Sequence, residues 1–250
     1  MAAEEPGEYT LYYFDIAGKG ECIRLALHYG GLPFRDVRLS RELFHRKREA
    51  GELPFGQLPC LQVPAAADDN DDDGGAAAAP ARRMVVQSAA ILRLVGKRTG
   101  LYPLQDDLLA AKVDALMDYD ADIFHGVRVL KYRERFGFPA EAFDAEAVAK
   151  TLLDSVLPRH LANLTKVLEE GGSGWLAGTA EPTIADFFLI PPLQQLLEEG
   201  NGVERFKALG AQFPALRALC DRFHALPAIA EYYDARAADQ AAAAADAGAK

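Results

Sequence analysis

Between Tyr9 and Thr99 the spacing of apolar residues switches repeatedly between the short runs of strands and the wider period of helices. "YTLYYF", from Tyr9, is short and aromatic, the composition of a strand. A turn through Gly18 and Gly20 leads into "ECIRLALHYGG", where Ile23, Leu25, Ala26, Leu27 and Tyr29 cover a broad helical face until Gly30 and Gly31 stop it. "FRDVRL", Phe34 to Leu39, reads as a second strand, and the polar stretch from Ser40 to Glu49 as a helix. A strand at Cys60 to Val63, another at Arg83 to Val86 and a helix from Ser88 through "AAILRLVGKR" complete an order β-α-β-α-β-β-α. That order suits one small α/β domain with a single sheet and helices packed on it.

Thr99 to Asp106, "TGLYPLQD", reads as a linker, and the pattern after it is helical from Asp107 to about Arg236. Breaks fall at "GFP", "GGSG" and "GNG". The predicted organisation is an α/β domain over residues 9–98, an all-α domain over 106–237 and an alanine-rich tail over 238–250 with little to pack.

Two features disturb this pattern. Pro59, in "GELPFGQLPCLQV", has no N–H for a sheet ladder, so it opens a strand, lies on an edge or takes a cis bond. Pro64 to Ala81 holds five aspartates and no large apolar residue where a hairpin needs only a few residues, so a mobile surface insertion is expected. Aspartates are ligands for hard cations, but the spacing of a calcium loop and its closing glutamate are absent, and no metal is expected.

Composition narrows the function. Half of the 250 residues are apolar, enough for a full core without staples. Cys22, Cys60 and Cys220 are odd in number and far apart, with no Cys-x-x-Cys, which argues against a disulfide framework or zinc cluster and for a reducing compartment. A net charge of −10 and a pI near 5.0 exclude binding to a phosphate backbone. The N-terminus has no basic flank followed by an apolar run, and no segment approaches the length needed to span a bilayer. The expectation is a cytoplasmic protein that meets neither nucleic acid nor membrane.

Four stretches, "YTLYYFDIAGKGECIRLAL", "LPFGQLPCLQV", "VVQSAAILRLV" and "WLAGTAEPTIADFFL", occur in this order from Tyr9 to Leu189. Together they resemble the cytosolic glutathione transferases, most closely the sigma class that includes prostaglandin D synthases. The resemblance implies a thioredoxin-like N-terminal domain, an all-helical C-terminal domain, a homodimer, and glutathione as co-substrate with no metal.

It also implies roles for single residues. Tyr13 matches the tyrosine whose hydroxyl donates to glutathione's sulfur; strand neighbours point to opposite faces, so Tyr12 and Tyr13 cannot both serve, and the family pattern selects Tyr13. Cys22, inside the helix, is expected to be a buried thiol and no rival nucleophile. Pro59 is expected to be cis, with Leu58 offering its backbone N–H and C=O to the cysteinyl part of glutathione as an added strand pairs with a sheet edge. Gln87 and Ser88, at a helix N-terminus, correspond to the residues that take the γ-glutamyl carboxylate, and Ser88 can also cap its helix. Lys19 and Gln57 fall among the expected glutathione contacts; Gln57 stands where the family often has lysine, so weaker binding is expected.

Phe44 occupies the place of a tryptophan at the glycyl end, keeping the aromatic wall without the indole N–H. Either Lys47 or Arg48 supplies the cation for the glycyl carboxylate. Asp114, Asp118 and Asp122 follow one another at i, i+4 and i+8 as a stripe of like charge, which makes sense if something positive meets it. The resemblance has Asp122 of the partner subunit approach glutathione's ammonium. Whether a cation binds near Asp118 and Asp120 stays open.

"TIAD", Thr183 to Asp186, has the form of a capping box and matches the family's folding signature. Ile16, Phe124, Val127 and Val129 are the expected lining of the electrophile pocket. Val129 stands near the place of the prostaglandin synthase tryptophan, and the lone Trp175 belongs to "WLAG", so prostaglandin isomerisation is not expected. The expected activity is conjugation of glutathione to hydrophobic electrophiles, a detoxification reaction. The alternatives are a glutathione-dependent isomerase or peroxidase using the same thiolate, and a non-catalytic ligand-binding or structural protein of the same fold.

Overall fold

The short apolar runs of the first hundred residues become the strands β1 (Tyr9–Phe14), β2 (Phe34–Leu39), β3 (Cys60–Val63) and β4 (Arg83–Val86), joined in one sheet of order β2-β1-β3-β4. β1 runs parallel to β2 and antiparallel to β3, and β3 pairs antiparallel with β4. The structure, a computed structural model, describes residues 8–64, 83–139, 141 and 143–248. Except for Pro64, the acidic insertion lies outside the described residues. The chain divides into two compact units, Met1–Gly100 and Leu101–Lys250.

In the first unit, α1 (Gly18–Tyr29) and α3 (Ser88–Thr99) pack against each other, and α2 (Arg41–Glu49) lies beside β2. Leu11, Ile23, Leu25, Leu27, Leu61 and Ile91 form the fully buried centre. Removing that much apolar surface from water is the main stabilising contribution here, about 2 kcal/mol for each such side chain. The pleat of β1 decides its aromatics: Tyr9, Leu11 and Tyr13 are buried on one face, whereas Thr10, Tyr12 and Phe14 are half-buried on the other. α2 buries no residue fully and is held by its ends, with the Ser40 hydroxyl accepting the Leu43 N–H at 3.1 Å.

The second unit is helical throughout: α4 (Asp107–Lys131), α5 (Ala145–Thr151), α6 (Leu157–Gly171), α7 (Ile184–Glu199), α8 (Ala208–Gln212), α9 (Pro214–His224) and α10 (Pro227–Gly248). α7 is apolar on nearly all sides, the mark of a central helix, and its start carries the predicted capping box. Asp186 accepts the Thr183 N–H at 2.8 Å and the Leu176 N–H at 3.0 Å, tying "WLAG" to the helix start. A widened π-turn at Leu152–Val156 joins α5 to α6 just before Pro158, whose ring and missing N–H disturb the regular ladder.

α10 runs on to Gly248, so the alanine-rich end expected to be a tail is helical there. Alanine is the best helix former and needs no tertiary packing to continue a helix already begun. Among the described residues no helix is long and apolar enough to cross a membrane.

Candidate active site

The turn from β1 into α1 is built around Tyr13. Its hydroxyl oxygen accepts the Lys19 N–H at 3.0 Å, and the side chain is 8% exposed. Gly18 and Gly20 make this approach possible: a Cβ on Gly18 would lie 2.6 Å from the Tyr13 hydroxyl, and one on Gly20 would lie 2.4 Å from its ring. Tyr12 points to the other face, where its hydroxyl donates to Gln62 at 3.3 Å and the Lys47 ammonium sits 5.9 Å from its ring.

A buried arginine that sequence reasoning passed over holds this turn. Arg24 donates to the carbonyls of Phe14 at 3.0 Å and Ile16 at 2.9 Å. It also pairs with Asp36 at 3.0 Å and Glu21 at 3.2 Å. The available signal was a cation in the middle of an apolar helical face with an acid one turn before it.

The other edge of the site forms where β3 and β4 meet the helices. The Leu58–Pro59 bond is cis. Gln57 Oε1 accepts from Gln87 Nε2 at 3.4 Å, so two of the expected glutathione contacts lie side by side. Gln87 has φ of 70° and is the N-cap of α3; Ser88 is the first helical residue, and no side chain caps this helix end. Ser88 therefore does not cap α3 as expected, and the left-handed backbone of Gln87 directs the chain into the helix instead.

At the expected glycyl end the charges are on the surface. Lys47 pairs with Glu52 at 2.6 Å, and the Arg48 guanidinium lies 5.6 Å from the Phe44 ring. Phe44 in turn meets Phe14 edge to face at 5.2 Å.

The thiols offer no competing nucleophile. Burial pushes the Cys60 thiol up to about 11 and, chiefly by the same cause, the Cys220 thiol up to about 12. Cys22 is buried in α1, with its Sγ 3.4 Å from the Lys19 carbonyl.

Of the residues expected to line the electrophile pocket, Ile16 is 53% exposed on the β1–α1 turn. In the second unit Phe124 and Val127 are buried on α4 and Val129 is half-buried. Asp122 is exposed on the same helix and Asp114 accepts the Tyr102 hydroxyl at 2.9 Å. Asp120, considered with Asp118 as a cation site, sits in the buried stripe of α4 and takes Arg128 through both oxygens, at 2.8 and 2.7 Å. Among the described residues no group of three or more His, Cys, Asp and Glu side chains is arranged to hold a metal ion.

The family model described as "Glutathione S-transferase, C-terminal domain" matches residues 122–236. Glutathione S-transferase 1 of Ascaris suum is 35% identical over 189 residues, covering 74% of this chain and 79% of that protein. A glutathione transferase structure from Caenorhabditis elegans superposes with a TM-score of 0.73 at 26% identity, covering 92% of this chain and 97% of that one. A hookworm glutathione transferase from Necator americanus, described as monomeric, gives 0.67 at 26% identity over 92% and 98% of the two chains. With its mixed four-stranded sheet followed by a helical unit, and with these relatives, the chain belongs to the glutathione S-transferase family.

Proposed function

We propose that this chain activates the thiol of glutathione through the Tyr13 hydroxyl and couples the resulting thiolate to electrophilic centres of hydrophobic compounds. The observation that carries this reading is the Lys19 N–H donated to the Tyr13 oxygen. A phenol oxygen that accepts from an amide keeps its own proton to give, and a thiolate is the form of sulfur that a donor favours. Free thiols of this kind titrate near 8.5, and lowering that value by about two units corresponds to about 2.7 kcal/mol. A hydrogen bond to a charged group contributes about 1.5–3 kcal/mol, so one well-aimed hydroxyl suffices.

In the reaction the thiol's proton passes to water, and the sulfur's electron pair then forms the new C–S bond. The electrophile's leaving group departs with its own pair, or, for an unsaturated acceptor, the displaced pair is protonated from water. Tyr13 retains its proton throughout. The Leu58 backbone next to Pro59 aligns the cysteinyl portion, Gln87 and Ser88 at the uncapped start of α3 receive the γ-glutamyl carboxylate, and Gln57, beside Gln87, is a further glutathione contact. Phe44 walls the glycyl end, where Lys47 or Arg48 supplies the positive charge. The exposed Ile16 offers apolar surface beside the sulfur.

In this reading the enzyme is a cytoplasmic, sigma-like homodimer in which Asp122 reaches the ammonium of glutathione bound to the partner subunit. A strict monomer in solution scattering that binds glutathione normally removes Asp122 from the site.

The deciding measurement is the ultraviolet thiolate absorbance of bound glutathione against pH, in the wild type and in Tyr13→Phe. The wild type is expected to lower the thiol's pKa by about two units and the variant to restore it. An unshifted thiol in both would falsify the tyrosine mechanism and favour a ligand-binding role for the fold.

A further inference from the structure

We infer that Tyr12 is a positioning residue for glutathione binding: its ring holds the Lys47 ammonium where the glycyl carboxylate is to dock. This rests on the reading of the glycyl end given above. Tyr12 and Tyr13 are neighbours on β1, so the pleat turns Tyr13 to the buried face and leaves Tyr12 half-buried on the other. α2 supplies the partner. Lys47 Nζ lies 5.9 Å from the centre of the Tyr12 ring, within the reach of a cation–π contact. The Tyr12 hydroxyl donates to Gln62 Oε1 at 3.3 Å, which ties the far end of the ring to β3. In the β1–β3 register Cys60 is opposite Tyr12 and Gln62 opposite Thr10, so hydroxyl and amide meet diagonally on one face.

The Lys47 ammonium is held by two groups of different kinds. Glu52 takes it through a carboxylate oxygen at 2.6 Å, and the Glu52 N–H donates to the Lys47 carbonyl at 3.0 Å, which keeps the two residues together. One carboxylate competes with another for the same charge. A ring face does not, because it attracts the cation while leaving its three N–H groups to oxygen acceptors. Tyr12 therefore keeps Lys47 in place while Glu52 yields to the incoming glycyl group.

Two observations favour this role over simple cover for the sheet. α2 buries no residue fully, so burial alone does not fix its long side chains, and a cation already confined costs less to immobilise when the ligand arrives. The next cation repeats the arrangement: the Arg48 guanidinium lies 5.6 Å from the Phe44 ring, which meets Phe14 of β1 edge to face. Of these two cations only Lys47 rests directly on a residue of β1. The successive tyrosines thus serve opposite ends of one ligand, Tyr13 the sulfur and Tyr12 the glycyl carboxylate.

The test is calorimetric binding of glutathione and of γ-glutamylcysteine, the same peptide without its glycine. Tyr12→Leu is expected to weaken glutathione binding about threefold, the scale of a partly exposed cation–π contact, and to leave γ-glutamylcysteine unchanged. Tyr12→Met repeats the test with an unbranched side chain, should the leucine variant fold poorly. Tyr12→Phe keeps the ring and should bind both peptides as the wild type does. In a Lys47→Ala background Tyr12→Leu is expected to add almost nothing, since the ring acts through the ammonium that is already gone.

Wild-type glutathione affinity in a folded ring-free variant overturns the proposal. So does an equal loss for both peptides, which makes Tyr12 a prop for the whole sheet face. A Tyr12→Phe as weak as Tyr12→Leu also overturns it, by assigning the effect to the bond with Gln62. If Lys47→Ala leaves glutathione binding unchanged, the reading of the glycyl end fails and this proposal with it. Failure of the Tyr13 mechanism shows separately, as a thiol titration that Tyr13→Phe does not move, and leaves the comparison of affinities standing.

Discussion

The two ends of the proposed glutathione site are built in opposite ways. Beside Tyr13 the ion pair under the turn is buried: Arg24 and Glu21 are closed off from water, and the hydroxyl is held by a backbone amide. Around α2 no residue is fully buried, and Lys47 meets a half-exposed Glu52. Buried polar groups interact strongly and are expensive to leave unpaired, whereas exposed ion pairs are worth at most about 1 kcal/mol. Geometry is thus rigid where the sulfur is to react and exchangeable where the glycyl carboxylate is to dock.

This contrast predicts a ranking of mutational effects. Asp186 shows the buried extreme in the helical unit. Asp186→Ala strands the N–H groups of Thr183 and Leu176 and the Thr183 hydroxyl, and should destabilise the protein by about 3 kcal/mol in denaturant melts. Burial also pushes this carboxyl up, against the downward pull of its hydrogen bonds. The folded state therefore holds its proton to higher pH than the unfolded state does. The stability tied to that proton is complete below the unfolded value, near 3.9, and is lost as pH rises through the folded one. Asp186→Asn should flatten this part of the stability profile, and an unchanged slope would show that another group sets it.

Gly20→Ala comes next. Its Cβ would sit 2.4 Å from the Tyr13 ring, so the turn must shift, with an expected loss of about 2 kcal/mol in transition-state stabilisation read from kcat/KM. Wild-type activity in this variant would mean that the turn is softer than its packing suggests.

At the exposed end, Lys47→Ala should raise KM for glutathione about fivefold with kcat unchanged, the signature of uniform binding. If Arg48→Ala gives that result instead, Arg48 is the glycyl cation. The smallest effect belongs to Glu52→Gln. Removing the carboxylate that already occupies Lys47 should lower KM by about two- to threefold, and the gain should shrink in high salt. A raised KM would show that Glu52 orients Lys47 rather than competing for it.

Legibility in the sequence followed the same division. The strands, α1 and α3 were readable because their apolar residues repeat at the period of each element, and "TIAD" because a capping box is local. Arg24 was not, because its partners on β1, the turn after it and β2 lie 8 to 12 residues away and meet only when the sheet forms. For Asp120 the sequence left open a cation site shared with Asp118; in the fold it occupies the buried face with Val113, Leu116, Met117, Ile123, Phe124 and Val127, where Arg128 pairs with it. A Ser at a helix start suggested a cap at Ser88, yet the backbone of Gln87 placed the boundary one residue earlier.

By itself the sequence determined the order of elements and the break between an α/β and an all-helical half. Both are carried by short-range periodicity and by motifs whose residues are neighbours in the chain. Tertiary structure alone decided which charged residues are paired and buried, how much room Tyr13 has between its glycines, and that Lys47 already holds a carboxylate. The reason is physical: the strength of a polar interaction depends on distance and on water around it, and neither exists until separate segments have packed together.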